Sequence, residues 1–219
     1  MSWRELANDY SIVNALREKA PDGYGLGASN GRTIPPTVEG GLNTATQNGW
    51  YYFGGEGGIQ NCPPLIASSD YGYLLVSSRN EQEKLQVFMS EVNNYIAVRK
   101  LEAGVWQPWE YVNPPMESGV EYRTTERFWE RPVYYKIVDC GQIVDNKQVE
   151  HGIANMRDCI FCQGLRGAMP MPSISNNDLS DPWSYYVADV NRIKITLACG
   201  TTAAGGNCHV ILKYTKTTD

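Results

Sequence analysis

From residue 42 onward, apolar and polar side chains alternate in short runs broken by glycine, proline and asparagine, a pattern that predicts β-strands. Residues 50–53 read as an aromatic strand entered through Asn48-Gly49, a hairpin-type pair. Residues 73–77 are short and apolar. Residues 85–90 alternate, with Leu85, Val87 and Met89 on the apolar side against Gln86, Phe88 and Ser90, where Phe88 is the exception. Residues 95–99 are a further strand, and Gly104-Val105-Trp106 leads into another. Beyond residue 120, the strand-like runs are 133–138, 143–144, 156–161, 185–187, 192–197 and 209–214. In 192–197, Ile193, Ile195 and Leu197 share one side. One stretch carries helical spacing instead. Residues 6–19 have Asn8 or Asp9 as a cap, Ile12, Val13 and Leu16 as apolar positions, and Pro21 as a stop. Its heptad echo is too short for an independent coiled coil.

The pattern breaks in residues 105–140. Trp106 and Trp109 stand three apart, Pro114-Pro115 follows, and a charged aromatic run leads into the strand at 133. This seam predicts a short N-terminal helix and linker (1–41), a small antiparallel β domain (42–112), a proline-rich linker (113–119) and a β-sandwich domain (120–219). The glycines at 23, 25 and 27 are not a dinucleotide fingerprint, because no strand precedes them and Pro35-Pro36 stands where the helix should run. Residues 164–183 read as one long polar loop, of a length that is usually functional in a compact domain.

Composition narrows the function. In 219 residues there are 21 Gly, 14 Tyr and 6 Trp against 4 Phe, which favours many turns and amphipathic aromatic surface. The net charge is −5 with no basic block, which argues against nucleic acid. No run reaches the roughly 18 apolar residues of a membrane span, and the N-terminus shows no apolar signal core. Cys62, Cys140, Cys159, Cys162, Cys199 and Cys208 are expected to be free thiols. In Cys159-Ile-Phe-Cys162 a strand would point the two thiols to opposite faces, whereas zinc needs a turn between them.

The first half resembles the pyocin-knob module of phage and tailocin tail fibres. The matching residues are Asn43-x-Ala45-x-x-Asn48-Gly49-Trp50-Tyr51, Asn61-x-Pro63, Gly72-Tyr73-Leu74, Gln86 and Trp106-x-x-Trp109. The second half resembles the C-terminal receptor-binding domain of tail fibres from phages of Gram-positive hosts. There the matches are Pro114-Pro115-Met116, the run Gly119-Val120-Glu121-Tyr122-Arg123-Thr124-Thr125-Glu126-Arg127, Pro132-Val133-Tyr134, His151-Gly152-Ile153 and the ending Tyr214-Thr215-Lys216-Thr217-Thr218-Asp219. The resemblance implies a mainly β, homotrimeric fibre tip of a phage or phage-like particle. Such a tip is assembled in the bacterial cytoplasm without a signal peptide and joined to other tail or baseplate proteins through its N-terminus. It attaches without catalysis to a surface polysaccharide or teichoic acid. A glycan-degrading tailspike and a purely structural tail component are the alternatives. No G-x-S-x-G, H-E-x-x-H or paired-carboxylate motif supports an enzyme.

Candidate residues follow. The loop before Trp183 holds Arg166, Asn176, Asn177 and Asp178 beside one flat aromatic, which is chemistry suited to sugar hydroxyls and C–H faces. Trp106 and Trp109 are assigned to the domain core, with a sugar platform as the other reading. Arg123, Glu126 and Arg127 are assigned to ion pairs at a subunit or domain seam, with an anionic ligand as the other reading. No cofactor is expected. The one metal reading places His151 or His209 on a trimer axis, where three copies would meet.

Overall fold

The structure is a computed structural model that describes residues 32–33, 39–53, 59–64, 71–167, 169–171, 185–199 and 206–218. The helix expected at 6–19 and most of the 1–41 linker lie outside these residues. The fold is mainly β, and the described elements are strands apart from one 3-10 turn at Gly41–Thr44. The chain divides into two compact units, Met1–Trp109 and Glu110–Asp219.

The first unit contains β1 (Arg32–Thr33), β2 (Gly49–Phe53), β3 (Gly72–Ser78), β4 (Lys84–Ser90), β5 (Ile96–Glu102) and β6 (Val105–Trp106). Strands β2 to β5 form an antiparallel meander, β1 joins β2 in parallel, and β6 pairs with the end of β5. One face of the meander is closed. Tyr51, Phe53, Leu74, Val76, Phe88, Ala97 and Leu101 are buried there, together with Leu42 and Ala45 from the 3-10 turn. Phe88 lies at the centre, 5.1 Å from the Phe53 ring, 5.8 Å from Tyr95 and 6.2 Å edge-on from Trp109.

The structure turns β4 over relative to its apolar alternation. Gln86, Phe88 and Ser90 are the buried side, whereas Leu85 is 45% exposed with Val87 and Met89 beside it. The physical reason is that Gln86 is satisfied inside. Its Nε2 donates to the carbonyls of Leu42 at 2.8 Å and Ala45 at 2.9 Å, so its burial leaves no polar atom without a partner. The outer face therefore carries the hydrophobic residues in cross-strand rows. One row is Tyr52, Tyr73, Met89 and Ile96, and the next is Trp50, Leu75, Val87 and Val98. All eight keep contact with solvent.

The second unit contains β7 (Glu110–Tyr111), β8 (Glu121–Phe128), β9 (Arg131–Gln142), β10 (Lys147–Glu150), β11 (Met156–Arg166), β12 (Met169–Met171), β13 (Tyr185–Val190), β14 (Lys194–Cys199) and β15 (Asn207–Lys216). One sheet has the order β7-β8-β9-β15-β11-β12 and the other β10-β14-β13. Both contribute to one core, in which Val138, Val210, Leu212 and Tyr214 of the first sheet meet Val187, Ile195 and Leu197 of the second. The last strand is central, paired on both sides by β9 and β11. Gly164 of the first sheet lies against Val187 of the second. A Cβ there would lie 2.9 Å from Val187 Cγ2 and 3.0 Å from Met171 Cβ, so β11 needs a residue without a side chain at that point.

Several expectations change here. The strand expected at 133–138 extends to Arg131–Gln142. Residues 143–144 are not a strand: Ile143 is buried as a plug while Val144 points to solvent. Ile193 precedes β14 in a turn and is 62% exposed, so only Ile195 and Leu197 of its expected face enter the core. The loop expected at 164–183 begins as a hairpin instead, because Gly164 pairs with Met171, Leu165 with Pro170 and Arg166 with Met169.

Candidate functional site

Of the five residues proposed for sugar contact, Asn176, Asn177, Asp178 and Trp183 lie outside the described residues. Arg166 ends β11 at the hairpin. It packs against Gly206, where a Cβ would meet its Nε at 2.8 Å. The neighbouring backbone is closed by the Gly167 N–H donating to the Asn207 carbonyl at 3.0 Å.

The two histidines differ. His151 is 2% exposed, its Nδ1 accepts from the Ile153 N–H at 3.1 Å, and its Nε2 lies 3.0 Å from the Asn191 carbonyl. Those partners fix the neutral tautomer with the proton on Nε2. Burial also lowers its pKa, outweighing the opposite pull of the Asn191 carbonyl. Both ring nitrogens are engaged, which argues against the metal reading for His151. His209 is on β15 with Nε2 3.8 Å from Asp139 Oδ1. Among the described residues, no group of three or more His, Cys, Asp or Glu side chains is arranged to hold a metal ion. Cys62, Cys140, Cys159, Cys162 and Cys208 are free thiols.

The tryptophan pair closes on a cation. Arg99 is 6% exposed, and its guanidinium carbon is 4.3 Å from the Trp106 ring centre and 4.4 Å from that of Trp109. Its Nε donates to Gln86 Oε1 at 2.8 Å, and Trp109 Nε1 donates to the Asn61 carbonyl at 2.9 Å. Trp109 is buried in the unit's core, and Trp106 is half-buried at its edge. The run 121–127 is likewise occupied within its own unit. Glu110 accepts from Arg123 Nε at 3.0 Å and from Arg127 Nη2 at 2.7 Å. Glu126 pairs with Lys213 at 3.1 Å and also takes the Tyr135 hydroxyl. The ion pairs expected at a subunit or domain seam thus have partners inside the second unit.

A shallow groove of ≈ 400 Å³ on the first unit runs over Ser77, Lys84, Leu85 and Lys100. Its rim charges are matched, Arg79 to Glu83 at 2.8 Å and Lys100 to Glu102 at 3.2 Å.

Among the described residues, the most exposed large hydrophobic side chain is Trp129, which no sequence motif singles out. Phe128 pairs with Arg131 across a two-residue turn, Trp129-Glu130, that joins β8 to β9. Trp129 is 79% exposed and stacks on Phe128, with ring centres 5.0 Å apart and planes 20° from parallel. Both turn residues are left-handed, with φ 47° at Trp129 and φ 64° at Glu130. That is the geometry asparagine and glycine adopt most readily, and each residue of another type costs about 1–2 kcal/mol there. The signal in the sequence is a pair of adjacent aromatics set between Glu126-Arg127 and Glu130-Arg131.

The solved structures that this chain is similar to include pyocin tail fibres. A P. aeruginosa R1 pyocin fibre comprising C-terminal residues 323–701 is 12% identical with a TM-score of 0.32, over 85% of this chain and 68% of that one. An N-truncated R2-type pyocin tail fibre is 11% identical with a TM-score of 0.29, over 86% and 99%. A P. aeruginosa R2 pyocin fibre comprising C-terminal residues 323–691 is 10% identical with a TM-score of 0.31, over 89% and 68%. No family model matches, and no curated protein does.

Proposed function

We propose that this chain is the distal, receptor-binding part of a tail fibre of a phage or phage-like particle. It works as a homotrimer and attaches without catalysis to a bacterial surface glycan. The observation that carries the assembled part of this reading is the outer face of β2–β5. Two rows of four apolar side chains on a soluble sheet form a contiguous patch of the kind that marks an association surface. A second copy is a suitable cover, since related copies present the same patch and closed symmetry repeats one contact. The number three, the surface glycan and the tail position come from the resemblance of the sequence motifs. Three weak sugar contacts on one rigid trimer, repeated over several fibres, give avidity without a strong single site.

Light scattering on the purified chain tests assembly. A trimer is expected, and Val87→Lys in the middle of the apolar rows should yield monomer. A monodisperse monomer of the parent chain would refute the assembled reading. Incubation with purified host polysaccharide tests the rest, with binding and no oligosaccharide release expected. Release would make the chain a depolymerase. Intact particles that bind cells while the trimer binds none would make it a structural component.

A further inference from the structure

We propose that the Phe128–Trp129 hairpin tip is a carbohydrate-contact site in which the open face of the Trp129 indole takes the C–H face of a neutral pyranose. This inference rests on the attachment reading above and gives it a place and a ligand class. Three observations lead to it. The indole is 79% exposed and rigidly carried, because β9 continues from the turn through buried Pro132 and Val133 into the sheet. Phe128 backs one face of the ring and leaves the other for a ligand. The backbone that presents the ring is left-handed at both turn residues. Strained positions of this kind persist where the surroundings over-determine them, and they cluster at functional sites. The turn itself needs only asparagine and glycine, so a tryptophan there is not required by the fold.

The rim selects the ligand. A protein hot spot sits in a ring of further contacts that exclude water. Here the chain on either side of the two aromatics is Glu126-Arg127 and Glu130-Arg131. A flat apolar surface within a polar rim suits a sugar, which is apolar on its ring face and hydrogen-bonding around its edge. The rim charges also separate sugar classes. Arg127 is held by Glu110, Glu126 by Lys213, and Arg131 Nη1 donates to the Lys216 carbonyl at 3.4 Å. The Glu130 carboxylate has no ion-pair partner among the described residues. It can accept from hydroxyls, and it repels phosphate or carboxylate. With Arg131 bonded only to a backbone carbonyl, Glu130 and Arg131 balance in charge, and the tip has no net positive charge to draw an anionic polymer, which favours a neutral polysaccharide over a teichoic acid.

The test uses the full chain with Trp129→Asn and Glu130→Gly together, which installs the favoured turn and removes the platform. Affinity electrophoresis is run through gels containing neutral cell-wall polysaccharide from Gram-positive strains, and through gels containing poly(ribitol phosphate). The parent chain should be retarded by the neutral polymer. The double variant should bind about tenfold or more weakly while melting at least ~4 °C higher. Trp129→Phe should keep part of the retardation. A double variant that binds like the parent overturns this site and leaves the attachment reading standing. A parent chain retarded in no gel removes the attachment reading, and the site with it. Trp129-dependent retardation only by poly(ribitol phosphate) overturns the neutral class. A lower melting temperature makes the indole structural, and an altered oligomeric state makes the tip a contact between copies. Either result overturns the proposal.

Discussion

Each unit holds an arginine against aromatic rings, and the two do so in opposite ways. Arg99 is buried between Trp106 and Trp109, with Gln86 as its polar partner and no carboxylate bonded to it among the described residues. Arg123 is half-buried, gives Nε to Glu110 and Nη1 to the Tyr134 hydroxyl at 3.0 Å each, and lies 5.9 Å from the Tyr134 ring. Burial dominates at Arg99 and lowers its pKa to about 10, although the nearby Cys62 acts the other way. At Arg123 burial also pulls down, but the Glu110 hydrogen bond and Tyr134 outweigh it and the pKa is raised. Both remain cations at neutral pH. The lesson is that two indole faces and one amide soften the burial of a cation without replacing a counter-ion, since Arg99 Nη2 lacks a hydrogen-bond partner among the described residues while Arg123 has a carboxylate. The three-residue spacing of Trp106 and Trp109 is what places one ring on either side of the guanidinium.

The largest expected effect is therefore at Arg99. Arg99→Ala removes a desolvated cation–π sandwich of about 2 kcal/mol and leaves Gln86 Oε1 without its donor, at about 1–3 kcal/mol. A loss of roughly 3 kcal/mol or more is expected by urea denaturation, with hydrogen exchange rising in β4 and β5. Arg99→Lys should recover little of it, since an ammonium cannot fill the slot between two rings.

Arg123→Ala should cost less, about 1 kcal/mol, because a partly solvated ion pair is screened. It should raise exchange in β8 and not in β4. Salt sharpens the contrast. At 1 M NaCl the Arg123 effect should shrink while the Arg99 effect holds, since screening acts on solvated charges and not on a sandwiched one. Equal costs, or an Arg99 effect that fades with salt, would break the comparison.

What the sequence made legible follows the same division. Alternation shows which residues share a side of a strand, so β2, β3, β4, β5 and β15 are anticipated. It does not show which side is inside. On β4 the polar Gln86 goes inward because Leu42, Ala45 and Arg99, all distant in the chain, satisfy it. The spacing of Trp106 and Trp109 reads as a closing element, but the group they close on lies on another strand. The hairpin at Trp129 is hidden because two-residue turns are recognised by asparagine and glycine, and here the chain has tryptophan and glutamate.

The second unit's polar core should respond to alkali with the opposite sign to Arg99, because the folded pKa is raised at Tyr214 and lowered at Arg99. Tyr214 is fully buried and stacks on Tyr134 at 5.8 Å, and its hydroxyl donates to Glu121. Burial, with Glu121 adding to it, raises the Tyr214 pKa far above its ordinary value of 10.0. The folded form therefore keeps its proton more tightly than the unfolded form. The stability this gives is complete below pH 10 and drains away as pH climbs toward the raised value. Tyr214→Phe should cost about 1 kcal/mol at pH 8 and flatten the alkaline limb of the stability profile.

The smallest effect is on the acid side and belongs to His151. Its folded pKa is lowered, chiefly by burial, from an ordinary value of 6.5. Below that value the unfolded chain takes up a proton that the folded chain refuses. Stability is thus fully present above pH 6.5 and falls as pH drops toward the lowered value, where the folded form protonates as well. A proton on Nδ1 would also displace the Ile153 N–H that donates to it at 3.1 Å. Exchange should then rise first around Ile153 and Asn191, the two backbone partners of the ring, while β4 and β5 stay protected. His151→Gln, which can still accept from one amide and donate to one carbonyl, should remove this limb below pH 6.5 at a loss of about 1 kcal/mol at pH 8. If the acid limb survives that substitution, or opens β4 and β5 at the same pH, the proton sensitivity does not belong to the second unit and the contrast between the two cores fails there.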